Sequence, residues 1–181
     1  MNSETPDSVL EFWFSERMEK AWFAKDEAID REIAERFAAV HEAARDGGLD
    51  GWRDRPRGAL ARTIALDQFP RNLHRDSPRA FATDDLALAG AEEAIARGFD
   101  QQLSEKERQF FYLPFMHSED IDVQRRSLDL YRALGNENLL GYAVKHHDIV
   151  ERFDRFPHRN EVLGRESTAE EVEFLKDNPG F

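Results

Sequence analysis

Apolar residues recur along this chain at three- and four-residue spacing, with no convincing stretch of strict alternation, and that period belongs to helices rather than strands. Val9, Leu10, Trp13 and Phe14 form the first stripe. Thr5 and Pro6 precede it, a good helix start because proline at the first helical position loses no needed donor. Trp22 and Phe23 fall in a connector. Ile29, Ile33, Phe37, Val40 and Ala44 lie on one face of the clearest amphipathic helix, with Asp26 as its cap and Gly47 and Gly48 at its end. Trp52 and Pro56 belong to a short linker. The run from Arg57 to Gln68 is helical again, and Pro70 disfavours helix at Phe69, so a stop is expected there. Ser77 before Pro78 predicts the start of an Ala-rich helix closed by Gly98.

The second half continues in the same way. Ser104 with Glu107 is a capping box opening an aromatic helix through Phe110, Phe111 and Tyr112, which Pro114 should kink or end. Ser118 is the expected cap of the next helix, which carries Leu128, Tyr131 and Leu134 and stops at Gly135. Leu139, Tyr142, Ala143, His146, Ile149, Val150 and Phe153 mark a further stripe, and Thr168 with Glu171 is another capping box. The pattern predicts about eight helices joined by short connections, hence an all-α fold of antiparallel pairs in a single domain over residues 1–181. Phe69 and Phe156, each followed by proline, lie 87 residues apart. That is no multiple of the roughly 34-residue tetratricopeptide period, so no strict repeat is present.

Composition narrows the partners. An apolar fraction of 40% with 14 Phe furnishes a full core, and a net charge of -12 at a pI of about 5.0 repels phosphate backbones and anionic lipid. Neither nucleic acid nor a membrane is an expected partner. There are no cysteines, which removes disulfides, thiolate metal sites and cysteine nucleophiles. The opening MNSETPDSVLEFWF has no signal-peptide pattern, and the longest apolar run, Phe110–Met116, falls far short of the ~20 residues that span a bilayer. A cytoplasmic location is expected. Without a Gly-rich phosphate loop or a dinucleotide fingerprint, no cofactor is expected either.

One stretch occurs twice. DQFPRNLHRDS at Asp67–Ser77 returns as DRFPHRNEVLGRES at Asp154–Ser167; without His158, Glu161 and Val162 both read D-x-F-P-R-N-L-x-R-[D/E]-S. Arg71, Asn72 and Arg75 of the first connector thus correspond to Arg159, Asn160 and Arg165 of the second. Fork-shaped guanidinium groups beside amides suit a carboxylate or phosphate, so these six residues, with Asp67, are candidate binding groups for a small anionic ligand or a peptide segment. The competing reading is that they cap helix carbonyls and pair with Asp67, Asp76, Asp154 and Glu166.

LPFMHSED places His117 and Glu119 after an apolar helix, where they qualify as a binding pair or as acid and base of a hydrolase. No G-x-S-x-G elbow or H-E-x-x-H pair accompanies them. A metal set of His117, His146 and His158 with Glu119 is a minor alternative, and no metal is expected. His146, four residues after Tyr142, reads as a satisfied core histidine; His147 and Glu151 read as a solvated face. A purely structural or protein-interaction module is the third alternative.

Taken in order, VLEFWF, LDQFPRN, SPRAFATD, LPFMHSED and RFPHRN-x-x-LGR-x-ST resemble the bacterial family catalogued as domain of unknown function 924. The resemblance covers nearly the whole chain. It implies a tetratricopeptide-like helical fold and carries no activity, substrate or cofactor with it. One departure is Asp76, where that family usually has glycine.

Overall fold

The computed structural model describes residues 4–179, and among them every regular element is a helix. The chain folds as two compact units: the residues up to Arg75 with Arg79–Pro114, and Asp76–Pro78 with the chain from Phe115 onward.

Thr5 caps α1 (Pro6–Trp13) in a capping box with Ser8, and Ser15 caps the one-turn α2 (Glu16–Glu19). Asp26 accepts from the N–H groups of Ala28 and Ile29 at the start of α3 (Glu27–Arg45). Its stripe of Ile29, Ile33, Phe37, Val40 and Ala44 is buried throughout, as its spacing requires. A 3-10 turn, Asp50–Asp54, leads into α4 (Pro56–Asp67). Every residue of α4 from Gly58 to Asp67 is buried, so this helix is the core of the first unit rather than one wall of it. Gly58 permits the entry: a Cβ there would lie 2.3 Å from the Trp52 carbonyl oxygen.

After α4 come α5 (Phe69–Leu73), a 3-10 turn at Pro78–Phe81, α6 (Asp84–Ala96), a 3-10 turn at Asp100–Gln102 and α7 (Glu105–Met116). Helices α1, α3 and α6 pack on α4, and α5 packs on α3. Trp13 is the aromatic centre, edge-on to Phe69 and Phe110 at 5.8 and 5.6 Å, while Trp22 Nε1 donates to the Trp13 carbonyl.

In the second unit, Asp120 caps α8 (Ile121–Leu134) and Gly135 ends it at φ +80°. Asn136 caps α9 (Glu137–Phe153), which stops at Asp154 with φ +56°. Only Gly135 and Asn136 separate the two helices, which pack as a hairpin. A 3-10 turn at Pro157–Arg159, α10 (Asn160–Leu163) and α11 (Ala169–Asp177) complete the unit. Ile149, Val150 and Phe156 form one of its buried clusters, with Ile121, Phe153 and Phe174 against them. Glu171 completes the Thr168 capping box and also holds Arg155 by two hydrogen bonds, which keep its carboxyl down at about 2.

Eight α-helices of eight residues or more are present among the described residues, in the expected places. Several boundaries differ. The helix before Pro70 does stop, with α4 ending at Asp67, but a new helix opens at once: Pro70 lies in the first turn of α5, where its missing donor costs nothing, so the first connector is itself partly helical. Ser77 and Pro78 open a 3-10 turn, and the Ala-rich helix starts later, at Asp84. Asp120 rather than Ser118 caps α8; the Ser118 hydroxyl accepts from the Asp120 N–H. Of the expected α9 stripe, Ala143, Ile149 and Val150 are buried, while Tyr142 faces solvent at 50% exposure. Asp76 has φ +56°, a left-handed position that glycine would adopt without strain.

Candidate functional site

In the first connector Arg71, Asn72 and Arg75 each meet an acidic group of their own unit. Arg71 donates to both oxygens of Asp84, at 2.8 and 3.0 Å, and to the Asp67 carbonyl. Burial lowers the Arg71 pKa, but the charges of Asp67 and Asp84 outweigh it and leave the group above its ordinary value. Asp67 is itself buried and accepts from Gln68. Asn72 donates to Asp30 at 2.8 Å, and Arg75 reaches the same carboxylate through Nε and Nη2. Burial raises the Asp30 carboxyl; the hydrogen bonds of Arg75 and Asn72 reverse this and hold it below the usual range.

The second connector repeats half of that arrangement. Arg165 holds Glu119 through Nη1 and Nη2 at 2.7 and 2.9 Å, and the Phe156 N–H donates to the same carboxylate at 2.7 Å. Burial raises the Glu119 carboxyl, and these donors, with the charges of Arg165 and Arg159, bring it below its ordinary value. Asn160 joins Ser167 and Arg165. Arg159, only 7% exposed, donates to the His117 carbonyl at 3.0 Å and lies 4.6 Å over the Phe156 ring.

Around Phe156 the second connector gathers imidazoles. His146 and His158 lie 5.6 and 5.7 Å from its ring, and His117 is 6.4 Å from His146. His146 Nδ1 contacts the Tyr142 carbonyl at 2.8 Å, so Nδ1 carries the proton and Nε2 keeps a lone pair. Burial drives the His146 pKa down to about 3, with His117, Arg159 and His158 adding to the effect, so the ring is neutral at pH 7. His146 is indeed a satisfied, part-buried histidine.

The structure therefore groups the nine candidates by unit: Asp67, Arg71, Asn72 and Arg75 in the first, His117, Glu119, Arg159, Asn160 and Arg165 in the second. Glu119 is so heavily solvated by donors that it is a poor proton acceptor, and the acid–base pairing with His117 gains nothing from the geometry. Among the described residues, the side chains whose ligand atoms converge within 4.8 Å as a metal group would are His147, Asp148 and Glu151, on the exposed side of α9. Two clefts are also present. One, of about 330 Å³ in the first unit, is floored by Phe12, Met18 and Ile29; the other, of about 500 Å³ in the second, includes Ile149 and Phe174. No connector candidate lines either.

Sequence reasoning missed two buried charged groups, Asp100, which accepts from the Tyr112 hydroxyl, and Arg62. Arg62, inside α4, is only 7% exposed. The one signal for it was an uninterrupted buried helix with an arginine in its middle.

These observations define an all-α protein without cysteine whose paired Arg-Asn connectors each hold an internal carboxylate. The chain belongs to the bacterial proteins of unknown function grouped as DUF924, whose family model matches residues 9–179. It is similar to the solved structure of a protein of unknown function from Agrobacterium tumefaciens, with 46% identity, 96% of this chain and 97% of that chain covered, and a TM-score of 0.92. No curated protein matches. No helix of the described residues is long and apolar enough to cross a membrane.

Proposed function

We propose that this protein binds the carboxylate or phosphate group of a small acidic ligand at the second connector, on a tetratricopeptide-like scaffold of helix pairs. Arg159 provides the fork, and His117 and His158 flank it. The observation that carries the reading is a contrast at corresponding positions. Arg71 grips Asp84 in a bidentate pair, whereas Arg159 donates to the His117 carbonyl, lies over Phe156 and acts with His117 and His158 on His146. Basic groups gathered in this way suit an anion. The α8–α9 hairpin, with its two-residue joint, supports the scaffold part of the reading.

The test is calorimetric titration with inorganic phosphate and with citrate, on the parent, His158→Ala and Arg159→Lys. Saturable binding is expected in the parent, weakened at least tenfold in both variants. Arg71→Ala, checked for folding by circular dichroism, should bind like the parent. Binding that survives both second-connector changes would place the ligand elsewhere and end the proposal.

A further inference from the structure

The cleft of about 330 Å³ in the first unit is lined by residues of α1, α2 and α3. Phe12, Met18 and Ile29 form its floor, each at most 9% exposed. Its volume falls at the lower end of the ~300–1,000 Å³ range of small-molecule sites, so its occupant is small. Met18 lets the floor adapt to an irregular apolar body, because a thioether chain is unbranched and polarizable.

Most polar groups around that floor are already used. The Ser8 hydroxyl donates to the Thr5 carbonyl and accepts from the Thr5 N–H, and the Ser15 hydroxyl donates to the Phe12 carbonyl and accepts from the Met18 N–H. Both arginines of the lining are held by carboxylates. Arg17 meets Glu32 at 2.6 Å, and Arg36 meets Glu4 at 3.2 Å and Glu32 at 3.5 Å. The Arg36 guanidinium also lies 5.3 Å over the Phe12 ring. Glu11 differs. It lines the cleft from α1 as an exposed carboxylate, and among the described residues it has no hydrogen bond or ion pair. Two guanidinium groups thus face three carboxylates, Glu4, Glu11 and Glu32, and the unbalanced charge at the rim is negative.

We propose that this cleft binds a small amphipathic amine, whose apolar body covers Phe12, Met18 and Ile29 and whose ammonium group pairs with Glu11. An anionic ligand would have to take Arg17 or Arg36 from a carboxylate that already holds it, whereas a cation finds Glu11 unspent. The net charge of -12 draws cations toward the surface as well. The site needs none of the second-connector residues and is independent of the anion site there.

Carbon-13 spectra of the Met18 and Ile29 methyl groups report on the floor. The protein would be titrated near pH 7 with hexylamine, which is protonated there, and separately with neutral hexanol and with hexanoate. Saturable shifts of both residues are expected with hexylamine. Hexanol should bind about three- to fivefold more weakly, the size of one partly exposed ion pair, and hexanoate more weakly still. Glu11→Gln keeps the shape of the side chain and removes its charge, and should bring hexylamine down to the affinity of hexanol. Glu16→Gln removes a nearby exposed carboxylate that pairs with Lys20 outside the cleft, and should leave all three ligands as in the parent. Arg159→Lys should also leave these shifts intact, which separates this site from the second connector. Signals that never move or drift without saturating, hexanol or hexanoate binding as tightly as hexylamine, or a Glu11→Gln response equal to the parent's would overturn the proposal.

Discussion

Arg75 and Arg165 occupy corresponding places in the two connectors, and each holds a carboxylate by two hydrogen bonds, Asp30 in one case and Glu119 in the other. Arg71 and Arg159 correspond as well, yet one meets Asp84 while the other meets a backbone carbonyl, an aromatic face and imidazoles. The same short motif is thus two devices combined. Its last arginine fastens the connector to an earlier element in both units, whereas its first arginine serves whatever that unit places opposite. Repeating the motif repeats the anchoring of the backbone and leaves the chemistry free to differ.

The largest test of this parallel is to remove the two internal carboxylates. Asp30→Ala and Glu119→Ala should each cost ~2–4 kcal/mol in urea unfolding, since each strands a guanidinium and a further donor that is partly shielded from water. A large loss in one and none in the other would mean the shared anchoring is accidental. The contrast at the first arginine comes next. Arg71→Met strands Asp67 and Asp84 and should cost ~2–3 kcal/mol, while Arg159→Met leaves Glu119 its bidentate Arg165 and should cost less, ~1–2 kcal/mol. Equal losses would make the connectors alike after all.

Acid sharpens the difference further. The folded-state pKa of His146 is about 3 against 6.5 for a free imidazole, so the unfolded chain takes up the proton first. The stability this ring contributes is complete above pH 6.5 and is lost as pH falls toward 3. His41 and His74 of the first unit, depressed chiefly by burial, act in the same direction. Asp30 and Glu119, with depressed carboxyls, give up their contribution only below the ordinary carboxylate range. His146→Asn should therefore make the fall in melting temperature shallower from about pH 6.5 down to about pH 3, with His41 and His74 keeping part of it. The smallest effect concerns the two aspartates at φ +56°. Asp76→Gly and Asp154→Gly should each raise stability by a few tenths to ~1 kcal/mol, through relief of left-handed backbone.

Much of this architecture was legible because helix signals are local. Caps at Thr5, Asp26, Ser104 and Thr168, and the face from Ile29 to Ala44, depend on residues within one or two turns of each other. The connectors were legible as a repeat for the same reason. What closes around them was not, because Asp30 lies 45 residues before Arg75 and Glu119 46 before Arg165, and no spacing rule joins them. Arg62 escaped for a different reason. Nothing in PRGALARTIALD distinguishes an arginine that snorkels to water from one held beneath the facing helix; only the position of Gly90 across α6 does so.

The Glu119–Arg165 pair also orders events in time. Helices α8 and α9 are joined by two residues, so their hairpin closes over a short loop. The pair must bridge 46 residues and rewards closure only once that hairpin exists. The second connector therefore belongs on the native side of the folding barrier, a latch rather than a nucleus. Breaking it with Glu119→Ala should quicken unfolding severalfold in stopped-flow kinetics and leave the folding rate nearly untouched.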